Sequence, residues 1–158
     1  MIGSYVRVMS ERKYIRDGRA PVPRHSRTSA LMSRIRAKNT TPELILRRAL
    51  RLAGLKGYRL HFAKVPGRPD ITFVGPKVAV FVHGCFWHGC PYCRPRRPKT
   101  HKGFWNDKLD RNKVRDRRKS KALRAAGWRV VTIWECQVER DPDRQAGRVA
   151  RALEGRSP

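Results

Sequence analysis

Acidic residues are scarce in this chain. Asp and Glu together number 12 in 158 residues, against 38 Lys plus Arg, which leaves a formal charge of +26 and a pI near 11.5. An excess of that size implies a polyanionic partner, either nucleic acid or an anionic membrane surface. Long apolar runs are missing as well. No stretch approaches the roughly 18 consecutive apolar residues that a membrane-spanning helix needs, so insertion in a membrane is not expected. The opening Met1-Ile2-Gly3-Ser4-Tyr5 has no basic segment leading into an apolar run, and the expectation is a cytosolic protein. Cysteines are few, namely Cys85, Cys90, Cys93 and Cys136. In a reducing compartment they read better as metal ligands than as two disulfides. No internal repeat is present, and 39% hydrophobic residues suffice for one modest core.

Residues 1–33 mix Arg and Lys with Gly3, Gly18, Pro21 and Pro23 and show no sustained apolar period. They read as a flexible basic arm before a single domain over 34–158. The first helix opens at Thr40-Thr41-Pro42-Glu43, where a Thr cap, a first-turn Pro and a Glu three residues on coincide, and Leu46, Ala49, Leu50 and Ala53 give it a face to bury. Gly54 stops it. Tyr58 to Phe62 alternates as a half-buried strand would, Ile71 to Val74 is a short apolar strand after Asp70, and Val78 to Val82 is apolar throughout, like a central strand. A cysteine-rich loop over 83–103 leads to a charged helix from Phe104 to Ala126. Trp128 to Trp134 is a further strand, and Asp141-Pro142 caps a last helix through Leu153. The long helix between the strands at 78–82 and 128–134 predicts that they lie parallel, joined by a right-handed crossover. The order describes an α/β sandwich with acidic strand ends converging at one edge.

The spacing Cys85-x4-Cys90-x2-Cys93, with Cys136 just after the neighbouring strand, supplies four thiolates for a closed tetrahedral zinc site, structural rather than catalytic, that would pin the long loop to the last strand. That loop contains Val82-His83-Gly84-Cys85-Phe86-Trp87-His88. Phe86 and Trp87 beside a metal site can form a small apolar core. With Trp105 on the next helix and a basic surface around them, they can instead act as wedges that unstack a base step. Asp70, in Pro66-Gly67-Arg68-Pro69-Asp70, can simply cap a turn. It is also the best-placed hard oxygen ligand for the Mg²⁺ that phosphodiester hydrolysis needs. Imidazole titrates near neutral pH, so His88 suits a general base, and His83 could assist at the phosphate. Glu43 already has a structural role in a capping box.

Gly67-Arg68-Pro69-Asp70, His83-Gly84-Cys85-Phe86-Trp87-His88, Phe104-Trp105, Asn112 with Arg115-Asp116, Gly127-Trp128-Arg129-Val130-Val131 and Trp134-Glu135-Cys136 together resemble the very-short-patch repair endonucleases over roughly Met32 to Glu139. The resemblance implies a restriction-endonuclease-like core, a mixed central sheet flanked by helices. It also implies a structural Zn²⁺ and magnesium-dependent nicking of one strand of double-stranded DNA on the 5′ side of the thymine of a T·G mismatch, such as deamination of 5-methylcytosine leaves. It further implies a monomer working at the bacterial nucleoid. By position, Asp70 and the carbonyl of Val82 would bind Mg²⁺, His88 would be the general base, Glu43 and His83 would support the active site, and Phe86, Trp87 and Trp105 would intercalate beside the mismatch. Two departures stand out. Cys90 and Cys93 replace a His and Cys pair of different spacing, and Asn39 stands where many relatives have Asp.

Other readings share part of this pattern. A non-catalytic zinc module or an RNA-binding protein would have the charge, cysteines and aromatics but no need of Asp70 near His88. A relative recruited to another DNA target would share every catalytic residue.

Overall fold

A computed structural model describes residues 38–155; the basic arm expected over 1–33 lies outside them. The chain runs α1 (Thr41–Leu52), β1 (Arg59–Leu60), β2 (Ile71–Phe73), β3 (Val78–His83), α2 (Cys85–His88), α3 (Lys102–Ala125), β4 (Arg129–Trp134), α4 (Glu135–Arg140) and α5 (Pro142–Leu153). The strands form one sheet in the order β1-β2-β3-β4. β1–β2 and β2–β3 are antiparallel, and β3–β4 is parallel, from Val78 opposite Arg129 to His83 opposite Trp134. The parallel pair and its helical crossover are as the spacing predicted, and the whole is a mixed sheet flanked by helices.

Strand alternation divides the apolar side chains between two faces. Ile71, Phe73, Val78, Val80, Val131 and Ile133 pack with Leu46 and Leu50 of α1 and with Val149 of α5. Ala79, Phe81 and Val130 pack on the opposite side with Val65 and with Leu123 of α3. By the same parity His83 and Trp134 fall on the α3 side, one strand turn beyond Phe81 and Thr132, so the sheet itself turns His83 toward the long helix.

Three details differ from expectation. In α1 the residues buried with Leu46, Ala49 and Leu50 are Pro42, Glu43 and Arg47, whereas Ala53, expected inside, is the exposed C-cap residue. The helix therefore carries an ion pair on its inner face. The expected half-buried strand at 58–62 is only two residues long and both are exposed. His61 takes φ +46, which ends the alternation, and Tyr58 packs on the first core while Phe62 packs on the second. Finally, short helices occupy Cys85–His88 and Glu135–Arg140, segments too brief for periodicity to reveal.

Candidate active site and metal centre

Asp70 sits at the head of β2 beside the carboxyl end of β3. Its Oδ2 accepts the backbone N–H of Val82 at 2.8 Å. Burial pushes its carboxyl up to about 6, helped by the charge of Glu43 and opposed by the Val82 hydrogen bond and by His88 and Arg47. Glu43, His61 and Asp70 each bring a ligand atom to within 4.8 Å of the others. Glu43 is 3% exposed and already fully engaged. It accepts from Asn39 N (3.1 Å), from Thr40 N and Oγ1 (3.4 and 3.0 Å), and from Arg47 Nη2 (2.9 Å). Asn39, left-handed at φ +54, uses Oδ1 to accept Arg47 Nη1 at 2.7 Å. An amide oxygen serves there as a carboxylate would, and its partner is Arg47 rather than a catalytic histidine. A magnesium ion fits this corner through Asp70, the one acid of the group whose charge no internal cation takes up directly; Glu43 fits the role of support.

Across the cleft, the rings of His83 and His88 stack with centroids 4.1 Å apart and 10° between planes. The edge of Trp134 meets His83 at 5.3 Å. His88 Nδ1 lies 2.5 Å from Asp116 Oδ2 on α3. Burial raises the Asp116 carboxyl, but the His88 hydrogen bond and the charges of His88, His83 and Arg115 outweigh it and hold the group below the usual carboxylate range. An ionised Asp116 can only accept, which places the ring proton of His88 on Nδ1 and leaves the Nε2 lone pair free. Burial, together with the charge of His88, lowers His83 to about 4 against the opposing charge of Asp116, so His83 is neutral at physiological pH.

The four cysteines converge. The sulfurs of Cys85, Cys90, Cys93 and Cys136 lie within 4.8 Å of one another. The Cys90–Cys136 separation of 3.7 Å is close to the edge of about 3.8 Å that a tetrahedron of Zn–S bonds near 2.3 Å requires. The Cys136 N–H also donates to Cys85 Sγ at 3.4 Å, a bond that stabilises a thiolate. The donor set therefore fits zinc. Next to it, Glu135 Oε2 accepts the Cys85 N–H at 2.8 Å. The run Trp134, Glu135, Cys136 thus holds His83, the start of α2 and the cysteine cluster in turn.

Phe86, Trp87 and Trp105 form one half-buried cluster, with centroid separations of 5.0 Å for Phe86–Trp87, 5.9 Å for Phe86–Trp105 and 6.1 Å for Trp87–Trp105. Lys108 Nζ lies 5.4 to 5.5 Å above the rings of Trp87, Phe104 and Trp105. Asn112 Nδ2 donates to the Trp87 carbonyl at 3.0 Å, which ties α2 to α3.

One cleft of about 1130 Å³ is lined by Glu43, Asp70, Val82, His83, His88, Phe86 and Trp87, and by the cations Lys38, Arg68, Arg115 and Lys119. It unites every catalytic candidate named from the sequence with two of the three wedge candidates. For Val82 the contact in place is its amide on Asp70. Sequence reasoning gave no role to Asp116, His61 or Arg47. Asp116 lies 28 residues from His88, and only the crossover of α3 brings them together. Among the described residues, no helix is long and apolar enough to cross a membrane.

Residues 22–94 match the family model described as DNA mismatch endonuclease Vsr. The chain is 44% identical over 108 residues to the Type II nicking enzyme V.XorIIP of Xanthomonas oryzae pv. oryzae, covering 68% of this chain and 79% of the relative. It is 42% identical over 129 residues to the Type II nicking enzyme V.NaeI of Lentzea aerocolonigenes, covering 78% and 76%. It is also 37% identical over 107 residues to DNA mismatch endonuclease Vsr of Escherichia coli, covering 68% of each.

Proposed function

This chain belongs to the DNA mismatch endonuclease Vsr family, and from that premise we propose that it nicks one strand of duplex DNA on the 5′ side of the thymine in a T·G mispair, with magnesium at Asp70 and zinc on its four cysteines. The observation that carries the reading is the cleft in which a half-buried carboxylate without its own cation faces a carboxylate-bound imidazole. The mixed sheet with Asp70 at a strand head supports a restriction-endonuclease-like core.

Magnesium, when bound, neutralises charge at the departing oxygen and makes water easier to deprotonate. Asp70 would hold it together with the carbonyl of Val82, whose amide already fixes the carboxylate. His88, with its proton held at Nδ1 by Asp116, takes the proton of the attacking water at Nε2. His83, neutral and stacked on His88, keeps that ring in place and can donate to a phosphate oxygen. Glu43 supports the corner through Arg47. Lys38, Arg68, Arg115 and Lys119 along the cleft, and the basic arm, would grip backbone phosphates without regard to sequence. Phe86, Trp87 and Trp105 would enter the stack at the mispair, where opening a base step costs least. The cysteine centre fixes the loop that carries the wedge and His88. A monomer suffices for a single nick.

The test is a nicking assay on duplexes with each possible mispair, each strand labelled and the flanking bases randomised, at equal salt and magnesium. Strong preference for T·G over T·A, cut on one strand only, is expected, with Trp87→Ala eroding the preference more than it erodes nonspecific binding. Equal cutting of T·A and T·G duplexes, or of both strands, would favour a nicking nuclease with another target.

A further inference from the structure

Of the three histidines lining the cleft, His61 has no part in the chemistry above. Its placement is nonetheless specific. Its backbone N–H donates to the carbonyl of Asp70 at 3.1 Å, so the ladder that sets Asp70 also sets His61. Its left-handed backbone, φ +46, is one that a residue with a side chain adopts only at a cost. Nε2 lies 3.2 Å from Arg47 Nη2, and Nδ1 lies 3.7 Å from Asp70 Oδ1.

We propose that His61 is a positioning residue that orients the Asp70 carboxylate for its metal. A guanidinium has donors only, so Nε2 accepts in the 3.2 Å hydrogen bond from Arg47, with the Glu43 carboxylate that holds the same Nη2 also 3.4 Å from Nε2, and the ring proton of the neutral imidazole sits on Nδ1. That nitrogen then has no lone pair for a metal and offers an N–H toward Asp70 Oδ1. The other oxygen, Oδ2, is held by Val82 N–H at 2.8 Å. The Val82 amide fixes Oδ2, and the N–H dipole facing Oδ1 from 3.7 Å, beyond hydrogen-bond length, favours the rotation of the carboxylate that keeps Oδ1 toward it. The chain of support runs from Asn39 and Glu43 through Arg47 to His61 and ends on Asp70. The first links are hydrogen bonds that Arg47 donates to Asn39, Glu43 and His61, and the last is the longer electrostatic contact of His61 with Asp70, so the orientation of the metal-binding oxygen depends on α1. The proposal rests on the reading of Asp70 as the magnesium-binding carboxylate.

The experiment titrates the full-length, DNA-free protein with Mn²⁺ followed by electron paramagnetic resonance, beside the Mg²⁺ dependence of nicking. His61→Ala should weaken Mn²⁺ binding about 10-fold, the lower end of what loss of an orienting partner of a ligand costs. His61→Asn puts an amide N–H in the place of Nδ1 and tolerates the left-handed backbone; it should bind close to the parent. His61→Gln can satisfy Arg47 through its amide oxygen but leaves Oδ1 without a donor, and should match His61→Ala. If all three variants weaken binding alike, His61 is a direct ligand or a folding residue and the proposal falls. It falls too if none weakens binding, or if Gln restores it and Asn does not. Asp70→Ala separates the two levels. Parent-like Mn²⁺ binding by Asp70→Ala would sink the reading of Asp70 itself, whereas loss of binding there with unchanged His61 variants would sink only the role given to His61.

Discussion

Asp70 and Asp116 line the same cleft, each beside an imidazole, and their acidities move in opposite directions. Asp116 has its counter-charge inside the protein: His88 is hydrogen-bonded to it at 2.5 Å, and the carboxyl is held below its usual range although burial works against this. Asp70 has one amide donor and an imidazole at 3.7 Å, and it is pushed up to about 6, first of all by burial. A carboxylate paired internally is a finished structural element that fixes a neighbour. One left short of cations is poised for a cation from outside. The difference supports the proposed roles, Asp116 beside the base and Asp70 at the metal, on grounds that do not depend on any relative.

The strongest way to break this comparison is to remove the unpaired acid. Asp70→Ala should bring nicking to background while DNA affinity stays nearly unchanged, because no positive charge is lost; gel-shift and nicking assays on the same preparation would show it, and residual nicking at the parent rate would mean that Asp70 is not the metal ligand. On the other side, His88→Ala should slow the reaction by about 10²–10⁴-fold. Asp116→Asn should lower it by about 10²-fold or more, because an amide can donate to Nδ1 and so move the ring proton to Nε2. Single-turnover rates would measure both, and a parent rate for Asp116→Asn would separate His88 from its partner. Cys136→Ala tests the division differently. It should lose one zinc per chain by elemental analysis and, because α2 loses its tether, should reduce nicking more than it reduces Mn²⁺ binding at Asp70.

The smallest effect is on stability, and its sign is opposite at the two acids. The folded-state value of Asp70, about 6 against an ordinary 3.8, means that between roughly pH 4 and 6 the folded protein retains a proton that the unfolded chain has released. Stability therefore falls as pH rises through that window and stays lower above it. Without added magnesium, Asp70→Asn should gain about 1–3 kcal/mol at pH 8, and the gain should vanish below about pH 4. Asp116, shifted down, stabilises the fold at neutral pH, so Asp116→Asn should be less stable at pH 7, with the deficit disappearing in acid. Urea melts from pH 3 to 8 would report both, and a gain in each variant, or a loss in each, would contradict the contrast.

The cysteine cluster, the loop histidines and Asp70 were legible because each stands in a short, residue-specific string or at a strand boundary that apolar alternation marks. The three longer helices and the parallel pair were legible from caps, glycines and connection length. The network around Asp70 was not. His61 looks like one more residue of an alternating strand, and what brings it to Asp70 is a ladder bond followed by a left-handed turn. Arg47 looks like a solvated position on a basic helix, yet it is buried against Glu43. Both depend on register and on which face of α1 meets the sheet, and these are properties of packing rather than of local spacing.

The run from Trp134 to Cys136 also bears on which length changes this chain can absorb. Three consecutive residues engage three separate points at the end of β3 and just beyond it: a ring on His83, a carboxylate on the Cys85 amide and a sulfur in the cysteine cluster. Because β3 and β4 are paired residue by residue up to His83 and Trp134, one residue inserted or deleted between 129 and 134 would shift all three attachments together, and no single side-chain change could restore them. The exposed stretch near Lys99 to His101, between the cysteines and α3, carries no such constraint. Lengthening of the chain, whether in natural variants or in a tagged protein, should therefore be tolerated there and not at the end of the last strand.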